Sequence, residues 1–237
     1  MHWRPAVTLW LLLAAALGAP AAAAAAPRVE VTLFGEALCP YTAKWVTDTL
    51  APLLKFDKEF SDIVDFKYVA WGNAHNTTTQ GVQCQHGSNE CSLNRVINCA
   101  THHYPDQAKW LPFVNCLESA PLRQMLEAVD ECADKAGMDA GALHECAEGQ
   151  QGEELEREAA RQTDGLCPPH AYVPWVLVDG VPLGESFDAL KLFICVAYTG
   201  NPKPAHCYDP PAAAASSAAA QLVLPGVGHV TRPTASA

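Results

Sequence analysis

The chain has 237 residues, 15 basic against 26 acidic side chains, a formal net charge of −11 and 49% apolar residues. A balance this acidic counts against nucleic acid or an anionic membrane as a partner. All ten cysteines follow residue 38, and in an oxidising compartment such a set reads as a disulfide framework.

In chain order, Arg4, the apolar stretch 6–17 and the alanines of 21–26 form a secretory signal peptide over residues 1–26. Its apolar stretch is too short for a membrane span, which needs about 20 residues. No second apolar stretch is long enough to cross a bilayer, so no membrane insertion is expected. Residues 29–34 (V-E-V-T-L-F) alternate between Pro27 and Gly35 and predict a strand. Cys39-Pro40 follows, then Trp45, Val46, Leu50, Leu53 and Leu54 at helical spacing. Pro40 suits a helix start, and Pro52 is expected to kink or end that helix. Residues 64–70 alternate again, which makes the opening a βαβ unit.

Residues 71–120 read as loop-rich and hold four cysteines. Asn76-Thr77-Thr78 is an N-glycosylation acceptor and predicts a surface loop. Residues 121–163 read as helical, with Leu122, Met125, Leu126, Val129 and Cys132 on one face. Gly137 is expected to end that helix and Asp139 to cap the next, which carries Leu143 and Cys146 before Gly149. Residues 153–162 predict a third, more exposed helix. Residues 172–178 are β-rich, and Asp179-Gly180 signals a two-residue hairpin turn. Residues 187–198 predict a last helix with Leu190, Phe193, Ile194 and Ala197 on one face. From residue 209 to 237 the chain is rich in Pro, Ala and Ser and reads as a disordered tail.

Cys39 sits where a strand hands over to a helix N-terminus. Unpaired peptide N–H groups favour an anion there, and the thiolate is the form that attacks a disulfide. Cys39 is therefore the candidate nucleophile; the alternative is that it is one more half-cystine.

Residues 84–99 read C-Q-H-G-S-N-E-C-S-L-N-R-V-I-N-C. Cys84, Gln85, His86, Gly87, Glu90, Cys91, Asn94 and Cys99 stand in the spacing C-Q-H-G-x2-E-C-x2-N-x4-C. This resembles the signature of the gamma-interferon-inducible lysosomal thiol reductases. Pro168-Pro169-His170 with Tyr172-Val173-Pro174-Trp175 is similar to a second stretch of that family, and the resemblance runs from about residue 29 to 207. It implies an α/β, thioredoxin-like fold over residues 27–208, with a cysteine-rich helical insertion at about 84–165. It implies reduction of protein disulfides at acidic pH in endosomes and lysosomes. The reductant would be a small thiol such as cysteine or glutathione, with no bound cofactor. In such folds a cis proline faces the nucleophile, a place Pro174 fits, with Val173 beside it to pair with substrate backbone; an ordinary trans proline at a strand start is the alternative.

The resemblance also implies structural roles for Cys84, Cys91, Cys99, Cys116, Cys132, Cys146, Cys195 and Cys207, as four disulfides of open connectivity. Gln85, His86 and Glu90 would be polar struts or substrate contacts. Zinc held among Cys84, His86, Cys91, Cys99, His102 and His103 is a competing reading, but paired C-x2-C units are missing, and no metal is expected.

The pattern breaks at the active motif. Where the family usually carries C-x-x-C, this chain has Cys39-Pro40-Tyr41-Thr42. With Thr42 in the second cysteine's place, nothing there can release a mixed disulfide, although the Thr42 hydroxyl is expected to hydrogen-bond the thiolate. Cys167, seven residues before Pro174, is left over and is a candidate for a relocated resolving thiol; it could equally be structural or free, or a small thiol could resolve instead. Two other functions compete. One is a non-catalytic binder of cysteine-containing clients. The other is a saposin-like lipid module built on residues 122–162, against which the flanking strands and hairpin count. The expected route is secretory, ending in endosomes and lysosomes or outside the cell.

Overall fold

A computed structural model describes residues 26–55 and 57–209. The leader and tail expected from the sequence lie outside this range, apart from positions 26 and 209. Strand β1 (Val29–Gly35) is followed by α1 (Pro40–Trp45), a π-helical turn (Val46–Leu50), α2 (Ala51–Lys55) and α3 (Lys58–Ile63), then β2 (Val64–Ala70). Of the two outcomes expected, a kink or an end, the helical run does not end at Pro52. The wide turn just before it gives the Ala51 N–H a partner at Val46, and α2 continues through the proline.

Strands β5 (Trp175–Val178) and β6 (Val181–Pro182) complete a sheet of order β2-β1-β5-β6. β1 runs parallel to β2 and antiparallel to β5. Asp179 and Gly180, at φ 47° and 77°, form the expected hairpin turn between β5 and β6. The extended pattern of residues 172–178 yields a strand only from Trp175 onward.

Although V-E-V-T-L-F alternates, β1 is covered on both faces. Val31 and Leu33 pack with Trp45, Leu50, Phe113 of the helical insert and Ile194. Phe34, with Val69 and Trp175, packs against Ala159 and Ala160 on the other side, and Thr32 is buried with them.

The stretch expected to be loop-rich is the largest difference. It holds a short hairpin, β3 (His75–Thr77) and β4 (Gly81–Gln83), then α4 (Ser88–His103) and α5 (Gln107–Glu118). Leu93, Val96, Ile97 and Ala100 bury one face of α4 at helical spacing. That periodicity was present in the sequence but lay among cysteines and asparagines. Asn76 is exposed on β3 rather than in a loop. The single helix expected from Leu122 to Cys132 is broken: Leu122–Gln124 is a 3-10 turn after Pro121, Leu122 is exposed, and α6 spans Val129–Lys135. α7 (Ala140–Glu148), capped by Asp139, and α8 (Gln150–Asp164) follow. The last helix begins late, with a 3-10 segment at Gly184–Ala189 before α9 (Leu190–Ala197).

Edge strand β2 is sealed by side chains. Gln107 pairs with the Phe66 N–H and Val64 carbonyl, and Asn98 with the N–H and carbonyl of Ala70. These amides satisfy outward backbone groups that would otherwise invite another strand, and they fix α4 and α5 to the sheet that carries Cys39.

Candidate active site

Beyond β1, Glu36-Ala37-Leu38 turns the chain into α1. Cys39 is the N-cap residue, with Pro40 as the first helical residue and no side-chain capping bond. The thiol is recessed at 5% exposure, beside Tyr41 at 73%. Leu38 adopts φ 64°, a left-handed conformation uncommon for a leucine. Such a conformation persists where its surroundings over-determine it, and the signature segment supplies those surroundings.

Asn94 accepts the Ala37 N–H at 2.9 Å and approaches Glu90 at 3.5 Å. Glu90 accepts from both the backbone N–H and Nδ1 of His86, at 2.6 and 2.8 Å. His86 Nδ1 also lies 3.7 Å from Glu36. Glu36 accepts the Asn73 N–H at 2.6 Å, and the Asn73 amide donates to Gln85. Glu36 and Glu90 are wholly buried. Burial raises the Glu36 carboxyl above its usual range; the Asn73 N–H and His86 oppose this, and the charge of Glu90 adds to it.

Of the two roles open to the signature, these bonds make His86, Glu90 and Asn94 struts for the turn before Cys39. The Glu36, His86 and Glu90 donor atoms lie within 4.8 Å of one another, but they already bind one another or backbone. Cys84 pairs with Cys91 and Cys99 with Cys146, so none of the three cysteines of the zinc reading is a free thiol. Cys116–Cys132 and Cys195–Cys207 are the other two disulfides. Cys39, buried, and Cys167, exposed, are free.

Thr42 departs from expectation. It is fully buried, and its hydroxyl has no hydrogen-bond partner among the described residues, so it does not bond the Cys39 thiol. The helix turns Thr42 inward, where its methyl approaches Gly35 beside the Tyr68 ring. Tyr68 and Glu118 complete a buried polar group that sequence reasoning missed. The available signal was a single acid inside or closing an apolar run, as at Glu36 in L-F-G-E-A-L and Glu118 after F-V-N-C-L.

The Val173–Pro174 peptide is cis, and both residues are buried at the start of β5. Phe34 and Trp175 are partners across β1 and β5, so Pro174 and Cys39 lie at the same end of the sheet. Leu166, next to Cys167, packs against the cluster that contains Phe34 and Trp175. Cys167 itself is exposed.

Known proteins match this arrangement. The family described as gamma interferon inducible lysosomal thiol reductase (GILT) matches residues 30–136. A gamma-interferon-responsive lysosomal thiol protein of Arabidopsis thaliana is 35% identical over 177 residues, 73% of this chain and 72% of that protein. The gamma-interferon-inducible lysosomal thiol reductase of Mus musculus is 34% identical over 186 residues, 76% of this chain and 72% of that one. The chain belongs to the GILT family. Among solved structures, DsbA of Chlamydia trachomatis is similar with a TM-score of 0.52 at 13% identity, over 80% of this chain and 95% of that one. The GILT chain therefore has a thioredoxin-like fold with a cysteine-rich helical insertion, and it is a thiol oxidoreductase. Among the described residues, no helix is long and apolar enough to cross a membrane.

Proposed function

We propose that this GILT-family chain reduces disulfides of protein substrates in the secretory and endolysosomal pathway, with Cys39 as nucleophile. One observation carries the reading: Cys39 is an unpaired cysteine at a helix start, at the end of the sheet that holds the cis Val173–Pro174 peptide. The Cys39 thiolate attacks one substrate sulfur and forms a mixed disulfide, and the other sulfur leaves as a thiolate that takes up a proton. A second thiolate must then attack the Cys39 sulfur, so that the remaining substrate sulfur leaves and takes up a proton, and a further thiolate frees Cys39 from the disulfide so formed. Cys167 is the internal candidate, supported by its free and exposed state. Two molecules of an external small thiol, cysteine or glutathione, supply the two electrons in either case and end as its disulfide. Exposed Asn76 and the leader-like residues 1–26 support a glycosylated chain on the secretory route.

Turnover of a disulfide-linked protein at acidic pH with excess cysteine tests this. Wild type is expected to turn over and Cys39→Ala to be inactive. Loss of turnover in a folded Cys167→Ala variant assigns resolution to Cys167; full activity assigns it to the small thiol. A second reading rests on Thr42, buried where a resolving thiol would stand: a client-binding protein that captures cysteines without release. Wild-type turnover no faster than cysteine alone would overturn the reductase reading in its favour.

A further inference from the structure

Glu118 closes α5 and is 3% exposed. One carboxyl oxygen accepts the Tyr68 hydroxyl at 3.4 Å, and the other is buried without a partner among the described residues. Burial pushes this carboxyl up to about 8, with the Tyr68 hydroxyl as the opposing influence. A half-paired buried acid is costly to a fold. The hydrogen bond it does make leads through Tyr68 toward Cys39.

Tyr68 stands on β2, itself buried. A methyl placed on Gly35 would meet Thr42 Cγ2 at 3.0 Å, Tyr68 Cε2 at 3.2 Å and the Tyr68 hydroxyl at 3.3 Å. The bare Gly35 therefore lets the phenol reach beneath the first turn of α1, which Cys39 caps. The groups whose charge bears on Tyr68 are Glu118, Glu36 and Cys39. Among the described residues, Tyr68 is thus the titratable side chain that touches Glu118 and also lies within electrostatic reach of Cys39. Thr42 brings a second unpaired buried oxygen to the same place.

We propose that Glu118 holds the proton exchanged at Cys39, passing it through the Tyr68 hydroxyl. The proposal rests on the reductase reading above. In the first half-reaction the Cys39 thiolate attacks, the S–S bond of the substrate breaks, and the leaving thiolate takes a proton from Tyr68, which Glu118 replaces. In the second half-reaction an incoming small thiol gives its proton to the Glu118 carboxylate by the same path and attacks the Cys39 sulfur as a thiolate; the remaining substrate sulfur leaves and takes that proton back. A second small thiol gives its proton to Glu118 in turn and attacks the small-thiol sulfur held on Cys39, so that Cys39 leaves as a thiolate. The protons of two reducing thiols have moved to the two product thiols, the small thiols end as their disulfide, and Glu118 is a carboxylic acid again. Glu118 acts through another residue and is a positioning and proton-holding group, not a catalytic one.

The test is the pH profile of turnover for wild type, Glu118→Gln and Tyr68→Phe, each after its thermal midpoint has been recorded. Wild-type turnover, corrected for the uncatalysed exchange, is expected to decline as Glu118 loses its proton near pH 8. Both variants are expected to turn over slower by about tenfold or more, within the range of a lost acid–base group, and to lack that decline. Tyr68→Phe keeps the ring, so it carries the test if Glu118→Gln does not fold. Both folded variants retaining turnover within about twofold of wild type, with the same profile, would overturn the proposal and leave the reductase reading intact. Absence of turnover in wild type would overturn both.

Discussion

The side-chain oxygen of Asn94 accepts the backbone N–H of Ala37 at 2.9 Å, so the helix carrying the signature holds the turn that presents Cys39. Both partners are buried. In Asn94→Ala the Ala37 N–H loses its partner in a dry site, a loss of about 1–3 kcal/mol. The thermal midpoint is expected to fall by several degrees and turnover to fall with it. Calorimetry and the disulfide assay on one preparation check this; an unchanged midpoint would contradict the strut role.

Gly72 makes a related demand. It adopts φ +63°, and a Cβ there would lie 2.2 Å from the Glu36 carboxylate and 2.5 Å from its Cβ. Gly72→Ala must displace Glu36, which leads into the Cys39 turn, and must also accept a left-handed backbone. Denaturant unfolding is expected to show a loss of about 2 kcal/mol or more, with reduced alkylation selectivity for Cys39. Gly87, at φ 89° with open space around it, serves as the control, and its alanine variant should suffer only the backbone penalty.

Thr42→Cys restores the two-thiol motif. The site is buried and the change nearly conserves volume, so the fold should tolerate it. On oxidation the introduced thiol is expected to form a disulfide with Cys39, leaving one titratable thiol, Cys167, where wild type has two. Turnover of the variant should depend less steeply on small-thiol concentration. Thiol titration and a reductant series measure both effects.

Glu118 gives the fold a pH dependence. Its carboxyl is raised from 4.5 to about 8 by burial, so in that window the native state binds more protons than the unfolded chain. Stability from this group is then complete below pH 4.5 and is lost as pH rises to about 8, with a slope of order 1 kcal/mol per pH unit. Urea midpoints of wild type are expected to fall relative to Glu118→Gln across this window and to run parallel outside it. Parallel behaviour throughout would show that Glu118 titrates normally.

The frame of the fold was legible because its signals are local. The β1 alternation, Pro40 after Cys39, the Asp139 cap and the Asp179-Gly180 turn each act over a few residues. Helix α4 was obscured because its apolar stripe, Leu93 to Ala100, is interrupted by residues whose roles lie elsewhere: Asn94 reaches Ala37, and Asn98 reaches β2. The helix-start position of Cys39 and the cis peptide at Pro174 were legible because both follow from local sequence. The site was opaque at Glu36, Tyr68 and Glu118, because burial of an acid is made by helices packing from distant parts of the chain. No nearby residue announces it.

The four disulfides differ in how open they are to a small-thiol reductant. Cys99–Cys146 is buried at both ends and closes a separation of 47 residues, whereas Cys84–Cys91 is part-exposed and closes only 7. The short loop constrains the unfolded chain least and is the more open to attack by small thiols. Yet it ties down the segment that braces Cys39. Under a strong dithiol reductant, rather than the monothiol of the turnover assay, the signature loop should therefore loosen before the core opens.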